Sequence, residues 1–187
     1  AMSHALSTLD TSGIRLPPGG LNMGIGVHFG DAIVGTIGSS TKFDYTVIGD
    51  SVNLASRLEG LSKRYKARII VSECVVQEIN RLKIQHPHFR FREIEEVIVK
   101  GKEEPTRIHL VEDEASGWLS PEACDLYRKG ISMYRLRNWK TAAEYFRAAV
   151  DKSQPDSLAS MYLDRCLSFQ ANPPPADWDL VQRYESK

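Results

Sequence analysis

Along the first 113 residues the apolar positions switch repeatedly between two rhythms. Short apolar or alternating runs at Leu21–Val27, Ala32–Ile37, Tyr45–Ile48, Arg68–Val71, Phe89–Lys100 and Thr106–Val111 read as strands. Between them Val52, Ala55, Leu58, Leu61 and Tyr65 recur at helical spacing over 50–66, and Val75, Val76, Ile79 and Leu82 over 73–82. Each set gives a helix one buried face. Asp50 or Ser51 stands where the first helix needs an N-cap, and Ser72 where the second does. The order β-β-β-α-β-α-β-β predicts a layered α+β domain over residues 21–113. Its first two strands, joined through Phe29-Gly30-Asp31, are expected to form a hairpin.

The rhythm then changes. An acidic, small-residue run from Glu112 to Gly117 leads into a linker at 114–119, and Ser120-Pro121 starts a helix with a cap residue and a proline at the first helical position. Helices are predicted over about 121–136, 139–152 and 156–170. The spacing of Tyr127, Gly130, Tyr134, Trp139, Ala143, Phe146 and Pro155 resembles a single tetratricopeptide-type helix pair within 120–171. One such repeat cannot bury both faces, so it is expected to pack on the preceding domain or on a protein partner. Residues 172–187 form a Pro-rich tail, in which Asn172–Asp179 is expected to end the order, and residues 1–20 read as a residual helix (Ala5, Leu6, Leu9) followed by a Pro/Gly loop.

Composition removes several classes of function. Lys plus Arg and Asp plus Glu balance at 24 each, so no global field recruits nucleic acid or an acidic membrane surface. The three cysteines, Cys74, Cys124 and Cys166, are far apart and fit reduced thiols of a cytoplasmic protein rather than a disulfide scaffold or zinc site. No apolar run approaches the roughly 20 residues of a membrane span.

The stretch that carries chemistry runs from Asp44 to Glu59: a strand, a tight turn at Gly49 and a helix start. Asn53 and Arg57, at i and i+4, share one side of that helix near its N-terminus. A carboxamide, a guanidinium and the positive end of a helix dipole suit an anion, with phosphate the first candidate. Gly24 and Gly26 lie inside a strand with no helix following at phosphate-loop spacing, so close approach of neighbouring backbone explains them better than a phosphate cradle.

The run Asp44-Tyr45-Thr46-Val47-Ile48-Gly49-Asp50-Ser51-Val52-Asn53-Leu54-Ala55-Ser56-Arg57-Leu58-Glu59 closely resembles the signature of class III nucleotidyl cyclases. The likeness extends upstream through Met23–Gly30 and downstream to Val99-Lys100-Gly101-Lys102. It implies a ferredoxin-like cyclase fold, here its second half, with a C-terminal α-helical extension. It also implies roles: Asn53 orients the ribose, Arg57 stabilises charge on the α-phosphate, Lys100 binds the β- or γ-phosphate, and Thr46 reads the base. Thr46 stands where adenylate cyclases carry Asp or Thr and guanylate cyclases usually Cys, so the resemblance favours ATP as substrate over GTP, giving 3′,5′-cyclic AMP and pyrophosphate.

The family also uses Mg²⁺ or Mn²⁺, held by two aspartates on the first half of the domain, and only residues 1–20 stand before Leu21 here. Asp31 and Asp44 do not match those positions, so no metal ligand is assigned to this chain. The family site forms between two catalytic domains, which implies a homodimer. The expectation is an adenylate cyclase segment that is inactive alone for want of the metal-binding half, with sheet edges left open and a parent protein that could carry an upstream membrane anchor. The alternatives are a non-catalytic nucleotide-sensing or dimerisation module, and a guanylate cyclase.

Overall fold

A computed structural model describes residues 23–39, 42–113, 119–152 and 156–184. The residual helix and loop read at 1–20 lie outside the described residues, as does most of the linker. The described chain is mixed α+β, in the order β1 (Ile25–Val27), β2 (Ile33–Ser39), β3 (Lys42–Ile48), α1 (Asp50–Leu61), β4 (Ile69–Ser72), α2 (Glu73–Arg81), β5 (Phe89–Val99), β6 (Thr106–Asp113), α3 (Pro121–Arg135), α4 (Trp139–Lys152), α5 (Ser157–Ala171) and β7 (Gln182–Tyr184).

Among the described residues five strands form one sheet in the order β1-β4-β6-β5-β7, and β2 and β3 form a separate two-stranded ribbon. The hairpin is therefore not where the sequence suggested. β1 runs parallel to β4, with Gly26 opposite Ile70, while β2 pairs antiparallel with β3 from Ile33↔Ile48 to Ser39↔Lys42. The physical reason lies in Gly26: a Cβ there would run into Ala55 O and Glu59 N, so β1 is pressed against α1 in a way only glycine permits. That contact holds β1 in the main sheet and leaves β2 free to turn back on β3.

The helix α1 buries Leu54, Leu58 and Leu61, with Tyr65 and Ala67 following in the turn, against Ile70, Ile94, Val97 and Ile108 of the sheet. Its buried stripe is displaced from the expected one, Val52 and Ala55 being only half-buried. The helix starts directly from Gly49 without a side-chain cap, and α2 likewise makes no side-chain cap bond at Ser72. The Ser72 hydroxyl instead bonds His28 Nδ1 at 2.8 Å. Helix α3 does begin as its sequence indicates, Ser120 Oγ accepting from the Ala123 amide at 3.1 Å with Pro121 in the first turn.

The three C-terminal helices close on one another through aromatic rings. Gly130 lets α3 approach α4 so closely that a Cβ would stand 2.7 Å from the Phe146 ring. Phe146 in turn stacks on Tyr162, ring centroids 4.9 Å apart. These helices also grip β5. The register of β5 on β6 shifts between Glu93 and Glu95. At that bulge Tyr127 Oη donates to Glu93 O (2.8 Å) and Tyr162 Oη to Ile94 O (2.6 Å). Two carbonyls disturbed by the bulge thus find donors from the helices.

The Pro-rich tail, read as the end of order, returns to the sheet. Arg137 donates to Pro175 O and Trp178 O, and the Trp178 ring packs on Phe169, centroids 5.3 Å apart. The chain then delivers β7 parallel to the end of β5. The edge of β5 at Val97–Val99 is covered by the molecule's own C-terminal strand.

Candidate functional site

The stretch that the sequence singled out folds as a ribbon strand, a glycine turn and a helix. Gly49 has φ +153°, and a Cβ on it would stand 3.2 Å from Asp31 O and 3.3 Å from Ala32 Cα, so the turn needs glycine both for its backbone and for the neighbouring loop. The Asn53 amide donates to Gly49 O at 3.2 Å, closing the first turn of α1. Asn53 is exposed there and Arg57, one turn on, is half-buried.

Arg57 reaches a second segment. Its Nη2 lies 3.5 Å, and its Cζ 3.9 Å, from where a Cβ of Gly101 would stand. Gly101 has φ +73° and follows the exposed Lys100, at the end of β5. The turn closes with the Lys102 amide donating to Val99 O at 3.0 Å, and the Lys102 ammonium pairs with Asp50 at the start of α1. Thus Arg57 and the Lys100 turn, distant in sequence, meet beside α1, with Lys102 tied to the helix's first residue. Lys102 adds a second tie that sequence reasoning did not assign. The signal was present, since Asp50 and Lys102 sit inside the two motifs quoted above, but nothing in either motif alone says that they touch.

Thr46 is half-buried in the middle of β3, and its partner across the ribbon is Gly35, which offers no side chain. One face of the ribbon is therefore uncovered beside Thr46. On that face Ile33 is 69% exposed, and on the opposite face Phe43 (66%) and Tyr45 (77%) are likewise among the most exposed large apolar side chains of the described residues.

His28 belongs to the same neighbourhood. A Cβ on Gly30 would approach Ser51 Oγ, and would lie 3.2 Å from His28 Nε2, so the loop after β1 rests on the start of α1. Burial, and secondarily the charge of Lys102, push the His28 pKa below its ordinary value, with Asp50 opposing.

A cleft of about 600 Å³ lies elsewhere, between β5, β6 and α3, and none of Thr46, Asn53, Arg57 or Lys100 lines it. Its arginines have partners: Arg92 pairs with Glu112 (2.9 Å) and Asp156 (2.7 Å), and Arg135 with Glu93. It reads as the seam between sheet and helices.

The donor set does not fit a divalent cation. Among the described residues no group of three or more His, Cys, Asp and Glu side chains is placed to hold a metal ion, and the Asp50 carboxylate nearest the site is engaged by Lys102. No chemical step is derived through a metal on these residues. Nor, among them, is any helix long and apolar enough to cross a membrane.

Comparison with known proteins adds an independent line. The family described as "Adenylate and Guanylate cyclase catalytic domain" matches residues 2–112. The "Adenylate cyclase, terminal-differentiation specific" of Dictyostelium discoideum is 30% identical over 169 residues, covering 89% of this chain and 8% of that protein. An alignment of that length runs beyond residue 112 into the C-terminal helices. An "Adenylate cyclase" of Anabaena cylindrica is 41% identical over 92 residues, covering 49% of this chain and 18% of that protein. This chain thus spans under a fifth of the length of either relative. Among solved structures, the adenylyl cyclase CyaB from P. aeruginosa is 32% identical with a TM-score of 0.46, over 60% of this chain and 52% of that one.

Proposed function

The chain belongs to the adenylate and guanylate cyclase catalytic-domain family, and on that premise we propose that it contributes the nucleotide-facing half of an adenylate cyclase site. The observation that carries the reading is the meeting of the Arg57 side chain with the Lys100-Gly101 turn beside α1. Two cations, an exposed carboxamide and a helix N-terminus then bear on one region, an arrangement suited to a polyphosphate.

In the reaction so assigned, the ribose 3′-hydroxyl gives its proton to water as its oxygen bonds to the α-phosphorus, the bond from that phosphorus to the bridging oxygen breaks, and pyrophosphate leaves. Negative charge builds on the α-phosphate oxygens and on the leaving group. Arg57 offers a planar fork of donors to the first, and Lys100 a mobile point charge to the second. Each serves by being in place before the charge develops. Asn53 holds the ribose so that the 3′-oxygen stands in line. Thr46, with a hydroxyl that donates or accepts, meets the base, and adenine is the favoured one.

The divalent ion that the family generally uses would be held by groups outside the described residues, so the 187 residues alone are expected to bind ATP weakly and not to cyclise it. A segment carrying the metal-binding carboxylates completes the arrangement, and the exposed apolar ribbon β2–β3 is a surface suited to that association. The helix pair at 121–152, with its tetratricopeptide-like spacing, packs inward on β5 and leaves its outer face for a protein partner.

Titration of the chain with ATP and with GTP tests this reading. Binding of ATP in preference to GTP, weakened at least tenfold by Arg57→Ala and by Lys100→Ala, supports it, since a charge-assisted hydrogen bond contributes about 1.5–3 kcal/mol. Equal affinity of Arg57→Ala and the unsubstituted chain contradicts it.

A further inference from the structure

The strand β7 pairs with β5 at Val97↔Gln182, Ile98↔Arg183 and Val99↔Tyr184, so its contact ends immediately before Lys100. Tyr184 also reaches sideways. Its Oη lies 2.7 Å from Tyr65 Oη, and Tyr65 Oη donates to Glu95 Oε1 at 2.5 Å. Since the one hydroxyl proton of Tyr65 is given to Glu95, Tyr184 is the donor to Tyr65. Glu95 is held from its other side by Arg165 of α5, at 2.6 and 3.3 Å, and the Arg64 guanidinium lies 4.7 Å from the Tyr184 ring centroid. Tyr65 and Glu95 are 2% and 5% exposed. Tyr65 follows the helix that carries Asn53 and Arg57, and Glu95 lies on the strand that ends at Lys100. A single chain of polar contacts therefore ties those two elements together, with Tyr184 of the C-terminal strand at one end and Arg165 of α5 at the other.

We infer that residues 178–184 brace the Lys100–Lys102 turn against α1, with Tyr184 as a positioning residue that acts through Tyr65 and Glu95. The inference rests on the cyclase reading only for the turn's purpose; the brace itself is a statement about the fold. It makes the C-terminal segment part of what sets the spacing of Arg57 and Lys100. It also gives any partner that displaces the tail a direct route to the phosphate-facing residues.

The test uses the full 187-residue chain and Tyr184→Phe, which keeps the ring and the strand and removes one hydroxyl. The readout is hydrogen exchange at the Lys102 amide, which bonds Val99 O across the turn and is not paired with β7. The brace predicts exchange about tenfold faster in the variant, and ATP affinity lower by a similar factor, the effect of losing one buried hydrogen bond. Lys102 exchange that is unchanged, even where the amides of residues 97–99 exchange faster, overturns the brace. Faster Lys102 exchange with unchanged ATP affinity overturns its service to the site. An unsubstituted chain that binds no ATP overturns the functional reading instead, and the exchange rates still decide the brace.

Discussion

The guanidinium of Arg57 lies against the backbone of Gly101, its Nη2 3.5 Å from the place of a Cβ. Lys100 is thereby a neighbour of a helix that precedes it by some forty positions. Because 3.5 Å is an ordinary van der Waals distance, Gly101→Ala fits sterically, and its cost comes from the backbone at φ +73°. About 1 kcal/mol of destabilisation is expected from that conformation. Gly101→Val adds branches that must displace Arg57, so it is expected to lose ATP binding as Arg57→Ala does. Denaturant unfolding and ATP titration of the two variants separate backbone cost from loss of the contact.

The buried carboxylate of Glu95 holds sheet and helices together. Arg165 is largely buried with it, and although burial works against the guanidinium's charge, the charge and hydrogen bonds of Glu95 more than offset this and hold the Arg165 pKa above its ordinary value. Replacing Arg165 by Met leaves a buried charge with only hydroxyl support, and about 3–5 kcal/mol of stability is expected to go. Arg165→Met together with Glu95→Gln removes both charges and should recover part of the loss. Urea unfolding of the single and double variants measures the coupling.

The ribbon β2–β3 carries its apolar side chains into solvent, with Tyr45 77% and Phe43 66% exposed. An apolar surface of this kind is expected to be covered in an associated state. Tyr45→Lys lies outside the packed core and should leave the melting transition of the dilute chain unchanged while shifting sedimentation toward the monomer. A chain that is monomeric at all concentrations without the substitution would contradict this assignment of the surface.

The depressed pKa of His28 has a signed consequence. Its folded-state value lies below the ordinary 6.5, chiefly through burial and then through Lys102. The unfolded chain therefore takes up a proton more readily, and this contribution to stability is intact above pH 6.5 and lost as pH falls through 6.5 toward the lower folded-state value. NMR titration of His28 should give a midpoint below 6.5, and Lys102→Met should raise it, because a cation is removed and Asp50 is released.

Much of the α+β core was legible in the sequence because its signals are local. The succession of strands and helices from β1 to β6, the stripe at Leu58, Leu61 and Tyr65, and the Ser120-Pro121 start all follow from period and capping. The partnerships between segments were not legible. That β1 joins β4 follows from the fit of Gly26 under Ala55 and Glu59, a contact between elements with no trace in either alone. The tail looked disordered by composition, yet Arg137, Trp178 and Tyr184 hold it through contacts with residues more than thirty positions away. At the proposed site, the placement of Asn53 and Arg57 one turn apart on α1 could be read from helical spacing, whereas the meeting of Arg57 with Gly101 could not.

The central claim is the proposal that this chain supplies the phosphate-binding side of an adenylate cyclase site, with the divalent ion held by groups outside the described residues. The most direct measurement is cyclic AMP formation from ATP with Mn²⁺, by the chain alone and after mixing with a separately prepared cyclase segment that carries the metal-binding aspartates. The account predicts no product from the chain alone, product on mixing, and loss of that product with Arg57→Ala in this chain. Cyclic AMP from the chain alone, or product on mixing that survives Arg57→Ala, would contradict it.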